Sequence, residues 1–220
     1  MRHTIILFLL LVVFVGCGRR VKAQEGPEEV LAQMRADTCW IRELDSLAAI
    51  AIGPGAKCID PVLHTFIYDG RTWFFNQDWG GVMEIPSDYL VEEDLVQAEL
   101  SFHGSGAWSA DTLVLVSVFA GFQARTDEEA VKVILSGLAE DGFTVSERAD
   151  NERVVTIRAR SVEGINYYGR QILANEDGVE FFVSVQYPDE KAADAAPVIE
   201  MANRFPAGPD GTVFRGEALK

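Results

Sequence analysis

Hydrophobic and polar residues alternate along the chain with two different periods, one typical of helices and one typical of strands. Between Val30 and Ala48, apolar residues recur every three or four positions, which predicts helix. The spacing is interrupted near Asp37, and the sequence GPGAK at 53–57 ends the pattern because two glycines flanking a proline cannot continue a helix. The chain therefore begins its folded part with a predicted helical segment over residues 27–60.

Strand-like patterns follow this segment. HTFIYDGRTWFF at 64–75 predicts two short strands around an Asp-Gly turn, GVMEIP at 81–86 a third, and AELSFHG at 98–104 a fourth. HGSGAWSAD at 103–111 is interpreted as a hairpin loop. DTLVLVSVFAG at 111–121 is apolar on both faces, which is typical of a central strand covered on both sides.

The second half of the chain begins with a helix signal. Thr126 and Glu129 have the spacing of a capping box, an apolar stripe follows them, and Gly142 is placed to end the helix. Later segments predict four successive strands and then a last helix: FTVSER, RVVTIRAR, INYYGRQILA, VEFFVSVQY and AAPVIEMANRF. Strands and helices do not alternate along the chain as they would in a parallel sheet. The pattern therefore predicts an α+β domain, a single antiparallel β-sheet with helices packed on its faces.

Several of these segments together resemble the PsbP-like fold. They are the aromatic strand followed by MEIPSDY, the strand LVLVSVF, the capped helix TDEEAVKVILSGL, the strand meander, and the final helix ending in IEMANRF. The family is named for the extrinsic subunit of photosystem II and includes the Ran-binding Mog protein and bacterial lipoproteins of the DcrB and LpqN type. The resemblance covers about residues 64–206 and leaves 27–60 unmatched. It implies an αβα sandwich with a binding or assembly role.

A glycine pair, Gly80-Gly81, stands in the sequence NQDWGGVMEIPSDY and raises the question of a phosphate-binding turn. A phosphate loop requires a helix N-terminus directly after the glycines, because the helix supplies the backbone N–H groups. A strand is predicted there instead. We interpret the pair as the entry into that strand.

Composition narrows the range of functions. The chain has 220 residues, of which 48% are hydrophobic, and it carries 34 acidic against 19 basic residues for a net charge of −15. A chain of this length and composition can bury a sizeable core. Its negative charge repels phosphate backbones, so nucleic acid is excluded as an expected partner.

The first residues predict export from the cytoplasm. The apolar run from Ile5 to Val15 has the length of a signal-peptide core and is shorter than the roughly 20 residues of a membrane span. Val15-Gly16-Cys17 resembles the bacterial lipobox, although Phe14 departs from the pattern, and predicts a lipid anchor on Cys17 in the cell envelope or periplasm. The alternatives are cleavage after Ala23, which gives a soluble secreted form, and an uncleaved anchor.

Two cysteines remain after Cys17. Disulfides persist outside the cytoplasm, so Cys39 and Cys58 are candidates for a disulfide. The alternative is a pair of unpaired buried thiols.

No catalytic or metal-binding motif is recognised. His64 and His103 lack a second ligand at helical spacing, so we predict neither a metal site nor a cofactor. HGSGAWSAD contains G-S-G and lacks the G-x-S-x-G of a nucleophile elbow. We therefore predict that the protein is not an enzyme.

Two candidate binding surfaces remain. Arg158, Arg160 and Arg170, with Tyr168 beside them, form a candidate docking surface for an anionic partner. The alternative is pairing across the sheet with nearby glutamates: Glu147, Glu152, Glu163 or Glu180.

The second candidate surface is aromatic. Trp79 and Trp108, with Tyr168, could line a cleft that stacks a small molecule or glycan. The alternative for the tryptophans is a place in the core or a loop.

These observations predict an exported, lipid-anchored envelope protein that binds or scaffolds another envelope protein without catalysis. The alternatives are ligand binding in an aromatic cleft and an enzyme with an unrecognised site. The predicted organisation comprises a signal peptide, a tether, a helical segment, a PsbP-like domain and a flexible tail: 1–17, 18–26, 27–60, 61–206 and 207–220.

Overall fold

The structure is a computed structural model that describes residues 27–92, 102–123, 125–174 and 176–216. The predicted signal peptide, with Cys17, and the predicted tether lie outside the described residues. So does the first half of the predicted strand AELSFHG. None of the helices in the described part of the chain is long and apolar enough to cross a membrane.

Four α-helices and one short 3₁₀-helix are described. They are α1 Pro27–Ala36, α2 Thr38–Ala51, α3 Asp127–Glu140, the 3₁₀-helix Asp189–Lys191, and α4 Ala192–Arg204. The predicted interruption near Asp37 is confirmed, because the Asp37 carboxylate accepts hydrogen bonds from the backbone N–H groups of Cys39 and Trp40 and caps α2. The capping box of Thr126 and Glu129 at the start of α3 is also confirmed.

The described strands form two antiparallel sheets instead of the single predicted sheet. The small sheet has the order β1-β2-β3-β4, from β1 Lys57–Asp60, β2 Thr65–Tyr68, β3 Arg71–Phe75 and β4 Val82–Ile85. The large sheet has the order β5-β6-β7-β11-β10-β9-β8, from β5 Leu90–Glu92, β6 Phe102–Trp108, β7 Leu115–Phe122, β8 Phe143–Asn151, β9 Val154–Ser161, β10 Ile165–Ile172 and β11 Val179–Pro188.

The edge strand of the small sheet, β4, is contacted by a distant part of the chain. β4 does not pair with β5, and its Val82 backbone N–H donates to the Pro206 carbonyl at 3.0 Å. A segment from the C-terminal end of the chain therefore occupies the position where a further strand would pair. This long-range contact has no signature in the local sequence pattern.

The predicted hairpin loop at 103–111 is wrong, because most of it forms strand β6. In the register with β7, Gly104 lies opposite Phe119 and Gly106 lies opposite Ser117. Small residues resemble a loop in composition, and here they are paired with a bulky central strand. Tertiary pairing overrides the local preference.

Among the described residues, three hydrophobic cores hold the layers together. The first packs α4 and one face of the small sheet on the large sheet, the second packs α2 on the other face of the small sheet, and the third packs α3 on the opposite face of the large sheet. Helices thus cover both faces of the large sheet. The α+β class with helices on the faces of an antiparallel sheet is confirmed.

The segment 205–216, which we call the strap, overlaps the predicted flexible tail 207–220 and makes specific contacts with the rest of the fold. Phe214 packs edge-on against Phe75 with ring centroids 5.1 Å apart and belongs to the second core. A Cβ atom on Gly80 would lie 2.1 Å from the Phe214 carbonyl oxygen. Hydrophobic anchoring and close backbone contact hold the strap in place.

The same contact answers the question about the glycine pair. β4 begins at Val82, directly after Gly80-Gly81, as the sequence predicts. Both glycines have positive φ, and Gly80 gives the strap backbone room to pass. The pair therefore serves strap contact as well as strand entry.

The predicted disulfide is not formed. Cys58 lies beside Asp45, whose carboxylate accepts from the Cys58 backbone N–H at 2.7 Å. Cys39 lies six residues before Asp45 on α2, about 9 Å along the helix axis. Cys39 is exposed and Cys58 is half-buried, so the alternative of two buried thiols is also wrong for Cys39. Burial raises the pKa of the Cys58 thiol to about 12, with Asp45 and Asp60 adding to the effect.

Candidate functional site

A groove of about 340 Å³ opens where the small sheet, the end of α4 and the strap meet. Its lining combines aromatic, sulfur-containing and charged side chains with three strap residues: Tyr68, Asp69, Arg71, Trp73, Val82, Met83, Glu84, Met201, Arg204, Ala207, Gly208 and Pro209. A volume of a few hundred Å³ is the size of a small-molecule site.

A carboxylate between two arginines forms the polar part of the groove. Glu84 accepts from Arg71 Nη1 through Oε1 at 2.9 Å and from Arg204 Nη2 through Oε2 at 3.2 Å. The Glu84 side chain is 11% exposed, whereas each arginine side chain is 59% exposed. The carboxylate is thus largely shielded while both guanidinium groups reach solvent.

Strand register places these groups. The turn Asp69-Gly70 has positive φ at both residues, as a type I′ hairpin turn requires, and it sets Arg71 at the start of β3. Glu84 lies opposite Trp73 on β4, one pleat away from Arg71 on the same face. Arg204 is the last residue of α4 and arrives from the other side of the groove.

The apolar wall is held by packing. The Tyr68 ring packs closely against Gly53. A Cβ atom on Gly53 would lie 2.3 Å from a carbon of the ring. Trp73 is 7% exposed, and its indole N–H donates to the Tyr68 carbonyl at 3.4 Å. Met83 is buried in the first core, and Met201 packs partly against that core. Methionine side chains adapt their shape to a ligand at low cost.

The strap closes the third side of the groove. Gly208 passes close to α2, since a Cβ atom there would lie 2.4 Å from the Ala51 carbonyl oxygen. The Ala207 N–H donates to the Arg204 carbonyl at 2.9 Å, and the Gly208 N–H donates to Thr212 at 2.8 Å. Backbone contacts therefore fix this wall.

The arrangement is suited to holding a ligand. Each guanidinium has five N–H donors, and the described contacts with Glu84 use one nitrogen of each. Glu84 is engaged by both arginines, so it acts as an anchor for two positioned donors. Apolar contact beside fixed hydrogen-bond donors is the usual composition of a binding pocket.

The arginines predicted from the sequence as a docking surface lie elsewhere, on β9 and β10. Arg158 pairs with Glu147 at 3.5 Å and stacks over the Tyr168 ring at 5.0 Å from its centroid. Arg160 pairs with the Asp189 carboxylate. For Arg158, the structure therefore shows the predicted alternative, an ion pair across the sheet with Glu147.

Arg170 and Tyr168 are directed into the fold. Arg170 Nη1 donates to the Phe205 carbonyl oxygen, at the start of the strap. Tyr168 is 3% exposed, and its hydroxyl donates to Asn203 Oδ1 at 2.5 Å. Burial raises the pKa of Tyr168. These two residues join β10 to the end of α4.

The predicted aromatic cleft is not formed by Trp79 and Tyr168, the two of its residues whose side chains the structure describes. Tyr168 is buried, and Trp79 packs partly against the first core with its buried indole N–H lacking a described partner. Neither residue lines the groove. The Trp108 backbone lies in β6, and its side chain lies outside the described residues.

A second polar cluster is buried on the α3 side of the large sheet. The Glu180 carboxylate accepts from Gln171 at 2.7 Å and pairs with Arg125 at 3.3 Å. Burial raises the pKa of Glu180, while Arg125 and Gln171 oppose the shift. This cluster links the segment just before α3 to the large sheet and lies away from the groove.

Sequence reasoning missed the groove because its parts are distant in the chain. Glu84 and Arg204 are separated by 120 positions. The Asp-Gly turn before Arg71 was visible as a hairpin signal, and Arg204 as the basic end of the last helix. Their convergence on Glu84 depends on how α4 packs against β4.

The fold and groove together define an α+β protein with a site suited to binding. No protein-family model and no curated protein matches the chain. Among solved structures, it is similar to cyanobacterial PsbP (CyanoP) from Synechocystis sp. PCC 6803, with 12% identity, 58% of this chain and 86% of that chain covered, and a TM-score of 0.41. It is also similar to PA94, a Pseudomonas aeruginosa protein of unknown function, with 14% identity, 60% and 93% coverage, and a TM-score of 0.35. Membership in the PsbP-like family stays a prediction.

Proposed function

We propose that the protein is an exported, lipid-anchored envelope protein that binds a small ligand in the groove without catalysing a reaction on it. The observation that carries the proposal is the groove itself, with an apolar wall beside two arginines fixed on one carboxylate. Its residues come from the small sheet, α4 and the strap. Backbone hydrogen bonds fix the strap wall and Glu84 positions both arginines, so the site is largely pre-formed, which lowers the entropic cost of binding.

Blocking the groove tests this function. Ala207 lines the groove, so Ala207→Phe places a phenyl ring in it. Val162→Phe is the matched control, because Val162 lies in the β9–β10 turn and is 95% exposed. Each full-length protein is purified from solubilised membranes and examined by native mass spectrometry for a bound small molecule.

We expect an added ligand mass on the wild type and on Val162→Phe, and none on Ala207→Phe. The same added mass on all three proteins, or an empty wild type, contradicts ligand binding in the groove.

The anchor is supported by the apolar run Ile5–Val15 and the sequence Val15-Gly16-Cys17. Mass spectrometry of the mature N-terminus tests it by comparing the wild type with Cys17→Ala. We expect a lipid-modified Cys17 as the first residue of the wild type and loss of that species in the variant. An unchanged processed mass rules lipidation out.

A protein partner on β8 and β9 is a second candidate function. All residues of β8 after Phe143 are exposed, and Arg158 and Arg160 reach solvent beside it. Recovery of an envelope partner by the wild type and its loss with Arg158→Glu/Arg160→Glu supports this surface. Equal recovery by both proteins removes it.

A further inference from the structure

We infer that the groove recognises an oxyanion, a carboxylate or phosphate group on an apolar body, through Arg71 and Arg204. The inference rests on the proposed function and names the class of ligand. Both guanidinium groups meet at Glu84, 2.9 Å and 3.2 Å from its two oxygens, so their remaining donors are held close to each other.

The shape of the donors selects for an oxyanion. A guanidinium is a planar fork whose N–H groups match the two oxygens of a carboxylate or the oxygens of a phosphate. Because Glu84 fixes one nitrogen of each fork, less side-chain entropy is lost when a second anion binds. Glu84 is thus a positioning residue for the two arginines.

Local geometry, and not the overall field, provides the selectivity. Arg71, Arg204, Glu84 and Asp69 sum to zero charge, and the whole chain carries −15. A bound anion gains charge-assisted hydrogen bonds that a neutral isostere cannot form. The aromatic and methionine wall would hold the apolar body of the same ligand.

Three matched probes test the inference on the full-length protein in detergent. They are 3-phenylpropionate, phenyl phosphate and the neutral 3-phenylpropanamide, titrated at constant ionic strength. Binding is followed by the NMR shifts of the Trp73 indole N–H and the Ala207 and Met201 amides. The two anions distinguish carboxylate from phosphate, and the amide gives the affinity of the apolar part alone.

We expect at least one anion to bind about tenfold more tightly than the amide, the difference that one charge-assisted hydrogen bond supplies. Arg71→Gln and Arg204→Gln should each remove most of this preference. Arg148→Gln is the control, because Arg148 pairs with Asp150 on β8, away from the groove.

Equal affinity of all three probes at the groove, or a preference that survives both substitutions, overturns the inference and leaves ligand binding in place. Absence of shifts at the groove with every probe contradicts the inference. Only an empty wild type, or a ligand that the Ala207→Phe variant retains, contradicts the proposed function itself.

Discussion

Glu84 joins the small sheet to the end of α4 through two ion pairs. Its carboxylate contacts Arg71 from the neighbouring strand and Arg204 from the helix, and it is mostly shielded from water while they are mostly exposed. An ion pair with one shielded partner is stronger than a fully exposed pair, because water screens it less.

The contribution of this pairing can be measured with a double-mutant cycle. We expect Glu84→Ala and Arg204→Ala to show a coupling energy of about 1 kcal/mol, at the upper end of the range for surface pairs. Urea denaturation of the wild type, both single variants and the double variant gives the value. The pair Arg148–Asp150, in which neither side chain is shielded (41% and 53% exposed), is the control and should couple by less. Equal coupling in the two cycles contradicts a special role for Glu84.

Glu180 gives a pH dependence whose sign is fixed by burial. Its folded pKa is raised, with Arg125 and Asp127 as the charged groups that face it, so the folded state binds more protons than the unfolded state as pH falls through that pKa. The free energy of unfolding of the wild type should therefore increase relative to Glu180→Gln from about pH 7 to about pH 4.

Urea denaturation of the two proteins across this pH range checks the prediction. A wild type that loses stability relative to Glu180→Gln on acidification would show that Arg125 dominates over burial and lowers the pKa.

At the scale of elements, the capping box is the clearest link from sequence to structure. The Thr126 hydroxyl accepts from the Glu129 N–H, and the Glu129 carboxylate accepts from the Thr126 N–H at 3.0 Å. Thr126→Ala should lower the free energy of unfolding by about 1 kcal/mol. Ser136→Ala, in the exposed middle of the same helix, is the control and should be neutral or slightly stabilising.

Chemical denaturation measures both changes. A loss no larger for Thr126→Ala than for Ser136→Ala would mean that tertiary packing alone holds this end of α3.

Elements with strong local signals were predicted well. Thr126 and Gly142 mark the two ends of α3, Asp37 marks the break between the first helices, and the Asp-Gly turn marks the β2–β3 hairpin. Only the start of β6 was predicted, as the end of AELSFHG; the rest was missed because Gly104 and Gly106 resemble a loop, and this strand depends on pairing with β7. Local patterns report the preference of the local backbone, and they do not show which residues a strand will pair with.

At the scale of the whole molecule, the strap determines how the parts fit together. It leaves α4 at Phe205, occupies the edge of β4, forms one wall of the groove and returns Phe214 to the second core. Its sequence is rich in glycine and proline and predicts flexibility. The contacts that hold it come from β4 and the glycine pair, far away in the chain, so neither the strap nor the groove could be predicted.

Substitution at Gly80 tests the strap. Gly80 has φ +85° and a Cβ atom would meet the Phe214 carbonyl oxygen at 2.1 Å, whereas Gly211 has φ +83° and no atom within 4 Å of that position. Both Ala variants carry the cost of positive φ, about 1 kcal/mol. Gly80→Ala should be destabilised clearly more than Gly211→Ala in thermal unfolding, because only it displaces the strap. Equal losses contradict the close contact.

The central claim is that the groove, and not the arginine surface of β9 or the exposed strand β8, is where this protein binds. A diverse library of small molecules, titrated into the isotope-labelled full-length protein and followed by backbone and side-chain NMR shifts, tests it most directly. We predict that the shifts of binding compounds concentrate on Tyr68, Trp73, Met201 and Ala207. Shifts concentrated on Arg158 and Arg160, or binding compounds that leave the groove unperturbed, would contradict the account.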